Sequence, residues 1–169
     1  MPGTARLLAV GVCLTLTPGA HAVTTSTFQV TAQIVAGCLV VGGVTAYGVL
    51  DYGTSSALST ATLSTSLGGS TVTFQCTPGV ALSMSLDGGQ NSASGTRNLK
   101  RSGGTQLLAY QLYRDAGFSQ SQSLGIGSSV AVSYSDPTAI KLPVYGRTTL
   151  TGTLPAGTYT DVVQVTVTW

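Results

Sequence analysis

The sequence predicts an all-β, immunoglobulin-like sandwich, and three observations carry that prediction. Only 7% of the 169 residues are charged, no Glu is present, and Thr, Ser, Val and 22 Gly dominate; that composition suits short strands and tight turns. Apolar residues recur at every second position in runs closed by Gly, Asp or Pro, and no stretch holds a helical period. Two cysteines, Cys38 and Cys76, stand early in the chain behind an export signal, as in small sandwiches stapled by one disulfide.

Residues 1–22 read as a secretory signal, with Arg6 in a short basic region, an apolar core over residues 7–16, and the small-x-small site Ala20-His21-Ala22. Ten apolar residues are too few to cross a bilayer, which needs roughly 20. Cys13 lies in that core, but the bulky Val12 before it argues against a lipid-attached cysteine. Maturation at Val23 leaves 147 residues, the size of one domain. It also removes His21, the single histidine, and one of three cysteines. An even pair in an exported chain is expected to form a disulfide; closing a loop of about 39 residues contributes about 4 kcal/mol by chain entropy.

The first mature stretch, residues 24–38, alternates Phe28, Val30, Ala32 and Ile34 with Thr27, Gln29, Thr31 and Gln33. This is a strand with one buried face, and no turn signal pairs it with the next segment. Ile34, Val35 and Ala36 stand close enough to Cys38 for part of it to belong to the first strand of the domain. Further strands are expected in residues 39–53, broken by Gly42-Gly43, Gly48 and Gly53; in 70–76; in 80–86, ahead of the turn Asp87-Gly88-Gly89; and in 107–115, 129–136 and 139–147. The last, residues 158–169, sets Tyr159, Val163, Val165, Val167 and Trp169 on one face, and no residue comes after it to form a hairpin partner.

Several function classes are excluded or disfavoured. The formal charge of +2 becomes +1 without Arg6, six Lys and Arg against five Asp, so no basic footprint for nucleic acid exists. Without Glu or a mature His, neither a Ser-His-Asp triad nor a His-ligated metal site can be assembled, and no enzyme, cofactor, metal or small-molecule substrate is expected. Asp51, Asp87, Asp115, Asp136 and Asp161 read as turn and capping residues. Arg97, Lys100 and Arg101, beside Gly103-Gly104, read as a solvated turn ahead of an anion-binding patch. The seven tyrosines read as packing residues ahead of a sugar platform.

The chain resembles the spore coat protein U domain family, which includes the pilins of archaic chaperone–usher pili. The similar pieces are the alternating leader ending in AGC at Cys38, TFQC at Cys76, SLDGGQN over residues 85–91, LAYQLYRD over 108–115, VYGR over 144–147, and the closing LPAGTYTDVVQVTVTW. One departure is Leu124-Gly125, where family members often carry Trp-Gly.

The resemblance implies an incomplete immunoglobulin-like fold whose final strand is missing. A periplasmic chaperone lends a strand first; at an outer-membrane usher the leader of the next subunit replaces it, giving a head-to-tail homopolymer of identical or related subunits. On this reading residues 1–22 are the signal, 23–36 the donor extension and 37–169 the sandwich. Phe28, Val30, Ala32 and Ile34 are the donor residues, Val163, Val165, Val167 and Trp169 belong to the acceptor groove and last strand, and Cys38–Cys76 is the staple. Trp169 is also implied to be held through its carboxylate by basic residues of the chaperone. Burying Phe28, Val30 and Ile34 contributes on the order of 5–9 kcal/mol. The implied function is that of a structural pilus subunit, exported through the periplasm to the cell surface, serving adhesion and biofilm formation. The alternatives are a secreted ligand-binding or adhesin module, a coat protein that completes its own fold, and, for residues 28–34, an ordinary first strand.

Overall fold

The structure, a computed structural model, describes residues 29–43, 46–67 and 72–169. The expected signal segment, the cleavage point at Val23 and the donor residue Phe28 lie outside the described residues. The chain divides into two compact units, Met1–Ile34 and Val35–Trp169. In the first, residues 29–34 adopt neither helix nor strand, and their apolar side chains are open to solvent, Val30 at 81% and Ile34 at 92% exposure.

The second unit is all-β. Its strands are β1 Cys38–Val40, β2 Thr62–Ser66, β3 Phe74–Cys76, β4 Leu82–Leu86, β5 Arg97–Arg101, β6 Leu107–Tyr113, β7 Val130–Val132, β8 Tyr145–Thr149, β9 Tyr159–Thr160 and β10 Val165–Thr168. They form a five-stranded sheet in the order β2-β8-β6-β5-β9, a three-stranded sheet β10-β4-β7, and a ribbon β1-β3, with every pairing antiparallel. The period-2 pattern fixes which side chains turn inward. In β4, Leu82, Met84 and Leu86 are buried with serines between them, and in β6 Leu108, Tyr110 and Leu112 are buried. All of these but Leu108 meet Phe74, Val132, Ile140 and Val144 in one core, with Met84, Leu112 and Ile140 sealed completely. Leu124, at the departure from the family pattern, is also buried there.

Cys38 and Cys76 face each other across the β1–β3 ladder and are joined by a disulfide, with Cα atoms 4.0 Å apart. The bond therefore ties residues 38 apart in sequence at the ribbon's end.

Several expected strands are shorter than their sequence pattern. Among the described residues, 39–53 give the end of β1 and an isolated bridge at Val49, because Val41–Gly43 turns into a 3-10 segment with Gly42 and Gly43 at positive φ. Residues 139–144 keep the alternation, Ile140, Leu142 and Val144 being buried, but only Ile140 bridges a neighbour, Phe74; Pro143 has no N–H to donate to a ladder. The closing run is two strands: β9 pairs β5 in the larger sheet and β10 pairs β4 in the smaller. Burial still alternates through the crossover at residues 161–164, so the side-chain period survives a change of sheet that it does not announce.

The basic cluster is a correction. Arg97, Lys100 and Arg101 lie on strand β5, not on a solvated turn. Arg97 is 5% exposed, because its guanidinium donates to four main-chain carbonyls: Leu124 at 2.6 Å, Asp87 at 2.8 Å, Leu86 at 3.0 Å and Gly125 at 3.3 Å. Burial lowers its pKa from the ordinary value, while Tyr110, Asp87 and Asp161 act the other way.

Candidate functional site

Five strands face three, and the inner face of the larger sheet is left partly uncovered beside the smaller sheet's edge strand, β10. The gap is a cleft of about 1170 Å³. Its floor is Leu63 of β2, Leu99 of β5 and Leu108, Tyr110 and Leu112 of β6; Leu86, Leu142 and Val144 close its far side. One wall is residues 154–165, the β9 strand and its crossover; the other is the segment 46–59 apart from the exposed Leu58, and this segment contributes no named strand to any sheet.

That second wall is pinned to the body by two tyrosines. Tyr47 packs against Phe74 with ring centroids 5.8 Å apart. Tyr52 reaches the larger sheet, where its hydroxyl occupies the space that a side chain at Gly146 would fill. The Tyr52 hydroxyl is buried without a hydrogen-bond partner among the described residues, and burial raises its pKa.

The first wall is held by polar contacts at one corner. Asp161 accepts hydrogen bonds from the backbone N–H of Asn91 (3.1 Å), the amide of Asn91 (3.0 Å) and the hydroxyl of Tyr110 (2.7 Å). Asp87 accepts from the N–H groups of Gly89 and Gln164, each at 2.9 Å. The sequence pattern assigns both carboxylates to turns. Asp51, Asp136 and Asp87 do serve turns, accepting from Gly53, Thr138 and Gly89 two residues on, and Asp87 and Asp161 in addition join segments about 70 residues apart or more. The charge that the sequence placed in loops is used to fasten the cleft.

Of the residues expected in the groove and last strand, Val163 and Val165 line the cleft. Val167 packs against the core from the same strand, and Trp169 is 58% exposed at its end. Among the described residues β10 pairs with β4 on one side only, which leaves its other main-chain edge without a strand partner there. Among the described residues no helix is long and apolar enough to cross a membrane.

Residues 24–166 match the family model of the Spore Coat Protein U domain. The chain belongs to the spore coat protein U domain family. A search of curated proteins finds no match. Two solved structures are similar to this spore coat protein U domain: a chain of the CsuC–CsuE chaperone–tip adhesion subunit pre-assembly complex from archaic chaperone–usher Csu pili of Acinetobacter baumannii, at 20% identity, TM-score 0.46 and 80% coverage of this domain's chain, and a chain of a chaperone–tip adhesin complex of CFA/I fimbriae, at 16% identity, TM-score 0.44 and 79% coverage. The chain spans about 40% of the length of the solved chains that it matches.

Sequence reasoning does not single out the wall at residues 46–59 or the corner of Asp87, Asn91 and Asp161 as parts of the site. The one signal for the corner is the run SLDGGQN, whose second glycine, at positive φ, leaves room for the Asp161 carboxylate.

Proposed function

We propose that this spore coat protein U domain is a structural subunit of an archaic chaperone–usher pilus and polymerises by strand donation. The observation that carries the proposal is the apolar cleft beside the open edge of β10. An extended segment laid there gains main-chain bonds from the edge and inserts alternate side chains toward Leu63, Leu108 and Leu112, which is β-strand addition. The occupant is the leader of a neighbouring subunit, with Phe28, Val30, Ala32 and Ile34 turned inward. The exposure of Val30 and Ile34 supports this, since side chains of that kind are stabilised by burial on a partner. A periplasmic chaperone occupies the cleft beforehand and an outer-membrane usher is the site of exchange. The resulting fibre lies outside the cell and serves adhesion and biofilm formation. The role is mechanical and draws on no catalytic group.

The test is a denaturing gel of the mature protein, run unheated and boiled. A ladder of multimers that collapses on boiling is expected; a single monomer band in both lanes overturns the reading and favours a self-complete coat or adhesin module. Deleting residues 23–36 is expected to leave a folded subunit that no longer enters the ladder.

A further inference from the structure

The connection from β4 to β5 and the connection from β9 to β10 cross between the same two sheets, because β4 lies beside β10 and β5 beside β9. At that corner neither connection is a strand. The two are instead bound by main-chain bonds from Asp87 N–H to Gln164 (3.0 Å) and Gln90 N–H to Val162 (3.1 Å), and by the side-chain bonds of Asp87, Asn91 and Asp161. Asn91 also donates to the Thr160 carbonyl at 3.1 Å. Arg97 fixes the root of the first connection through the Leu86 and Asp87 carbonyls. The residues so gripped, Thr160, Asp161, Val162 and Gln164, line the cleft and lead into its edge at β10.

We infer that the Asp87–Asn91–Asp161 corner is a positioning device that keeps the cleft open and the β10 edge aligned before a strand enters. This rests on the strand-donation reading. An empty apolar cleft is under a non-directional drive to close, and movement of the crossover onto Leu99 and Leu108 is the direct way to close it. Only directional bonds oppose such a collapse without filling the cleft, and those to a charged carboxylate are the strongest of the neutral-pH set. A subunit whose crossover wanders is receptive for only a fraction of the time, and its uptake slows by that fraction. Once a strand is seated, its own main-chain bonds hold β10, so the corner matters less to the filled form than to the empty one.

The test uses the mature chain, dissociated to monomer and refolded in the presence of excess labelled synthetic peptide of residues 24–36 so that the peptide outcompetes the leaders of other copies. It follows the rate of peptide uptake and the melting temperature of the peptide-filled form. Asn91→Ala is expected to slow uptake at least about tenfold while the filled form melts close to the wild type. Asp161→Asn, which keeps one acceptor oxygen, is expected to fall between the two and serves if Asn91→Ala does not fold. Wild-type uptake rates in both variants overturn the inference and leave strand donation standing. Slower uptake with a matching fall in the melting temperature of the filled form overturns it too, because the corner is then an ordinary stabilising contact. If the wild type itself takes up no peptide, the strand-donation reading falls and the inference with it.

Discussion

Tyr110, in the middle of β6, donates its hydroxyl hydrogen to the carboxylate of Asp161 at 2.7 Å, across the floor of the cleft from one sheet to the crossover that feeds the other. The bond joins residues 51 apart and has a charged acceptor. Hydrogen bonds of that type contribute about 1.5–3 kcal/mol. Tyr110→Phe removes the donor and little volume, leaving Asp161 its two bonds from Asn91. Its expected cost is therefore at the low end, about 1–2 kcal/mol, read as a lower urea midpoint at unchanged slope.

Alkaline pH tests the same neighbourhood. Burial raises the Tyr110 pKa above its ordinary value of 10.0, helped by the bond to Asp161, and burial alone raises that of Tyr52. Above about pH 10 the unfolded chain releases these protons while the folded chain retains them, so the unfolded state binds fewer protons and stability falls as pH rises. The contribution is complete below about pH 10 and is lost above it. The melting temperature is expected to drop from about pH 10 upward, and the phenolate absorbance of these two residues to appear together with unfolding. Tyr110→Phe should flatten part of that drop.

The fold is legible because its strands bury one face: the alternation of Leu82, Met84 and Leu86, or of Leu108, Tyr110 and Leu112, is decided by local sequence and survives into the structure. So does the alternation through residues 159–167, even where the strand changes sheets. Pairing is not legible, since an alternating run carries no record of which neighbour it bonds. The same limit hides the acceptor wall at residues 46–59, which is defined by tertiary contacts of Tyr47 and Tyr52. The inward turn of Arg97 is hidden for a related reason. Its sequence neighbours Lys100 and Arg101 suggest solvent, but β5 turns Arg97 inward onto carbonyls from residues 86, 87, 124 and 125.

Gly89 offers a test of how closely the corner is fitted. It sits at φ +76°, and a Cβ there would overlap the Asp161 carboxylate, with Cγ at 2.8 Å. Gly79 has a similar φ of +82° but nothing within 4 Å of a built Cβ. Alanine at Gly79 is expected to cost only the left-handed conformation, about 1 kcal/mol. Alanine at Gly89 must also displace Asp161 from Asn91, for an expected total of about 2–4 kcal/mol. Thermal melts of the two variants give the difference directly; equal losses would mean that Asp161 moves aside freely.

Arg97 gives the sharpest separation between charge and shape. Its planar fork reaches four carbonyls on two segments, a geometry that the single ammonium of lysine cannot reproduce. Arg97→Lys keeps the charge, buries it with fewer bonds, and is expected to lose about 2–4 kcal/mol. Arg97→Met removes the charge and its desolvation cost but strands the same carbonyls; its expected loss is about equal or smaller. If lysine proved close to the wild type, the attraction of the cation to Asp87 and Asp161 would be what holds the site. A lysine loss that matches or exceeds the methionine loss in urea titrations establishes the fork itself as the fastening between β5, the end of β4 and residues 124–125.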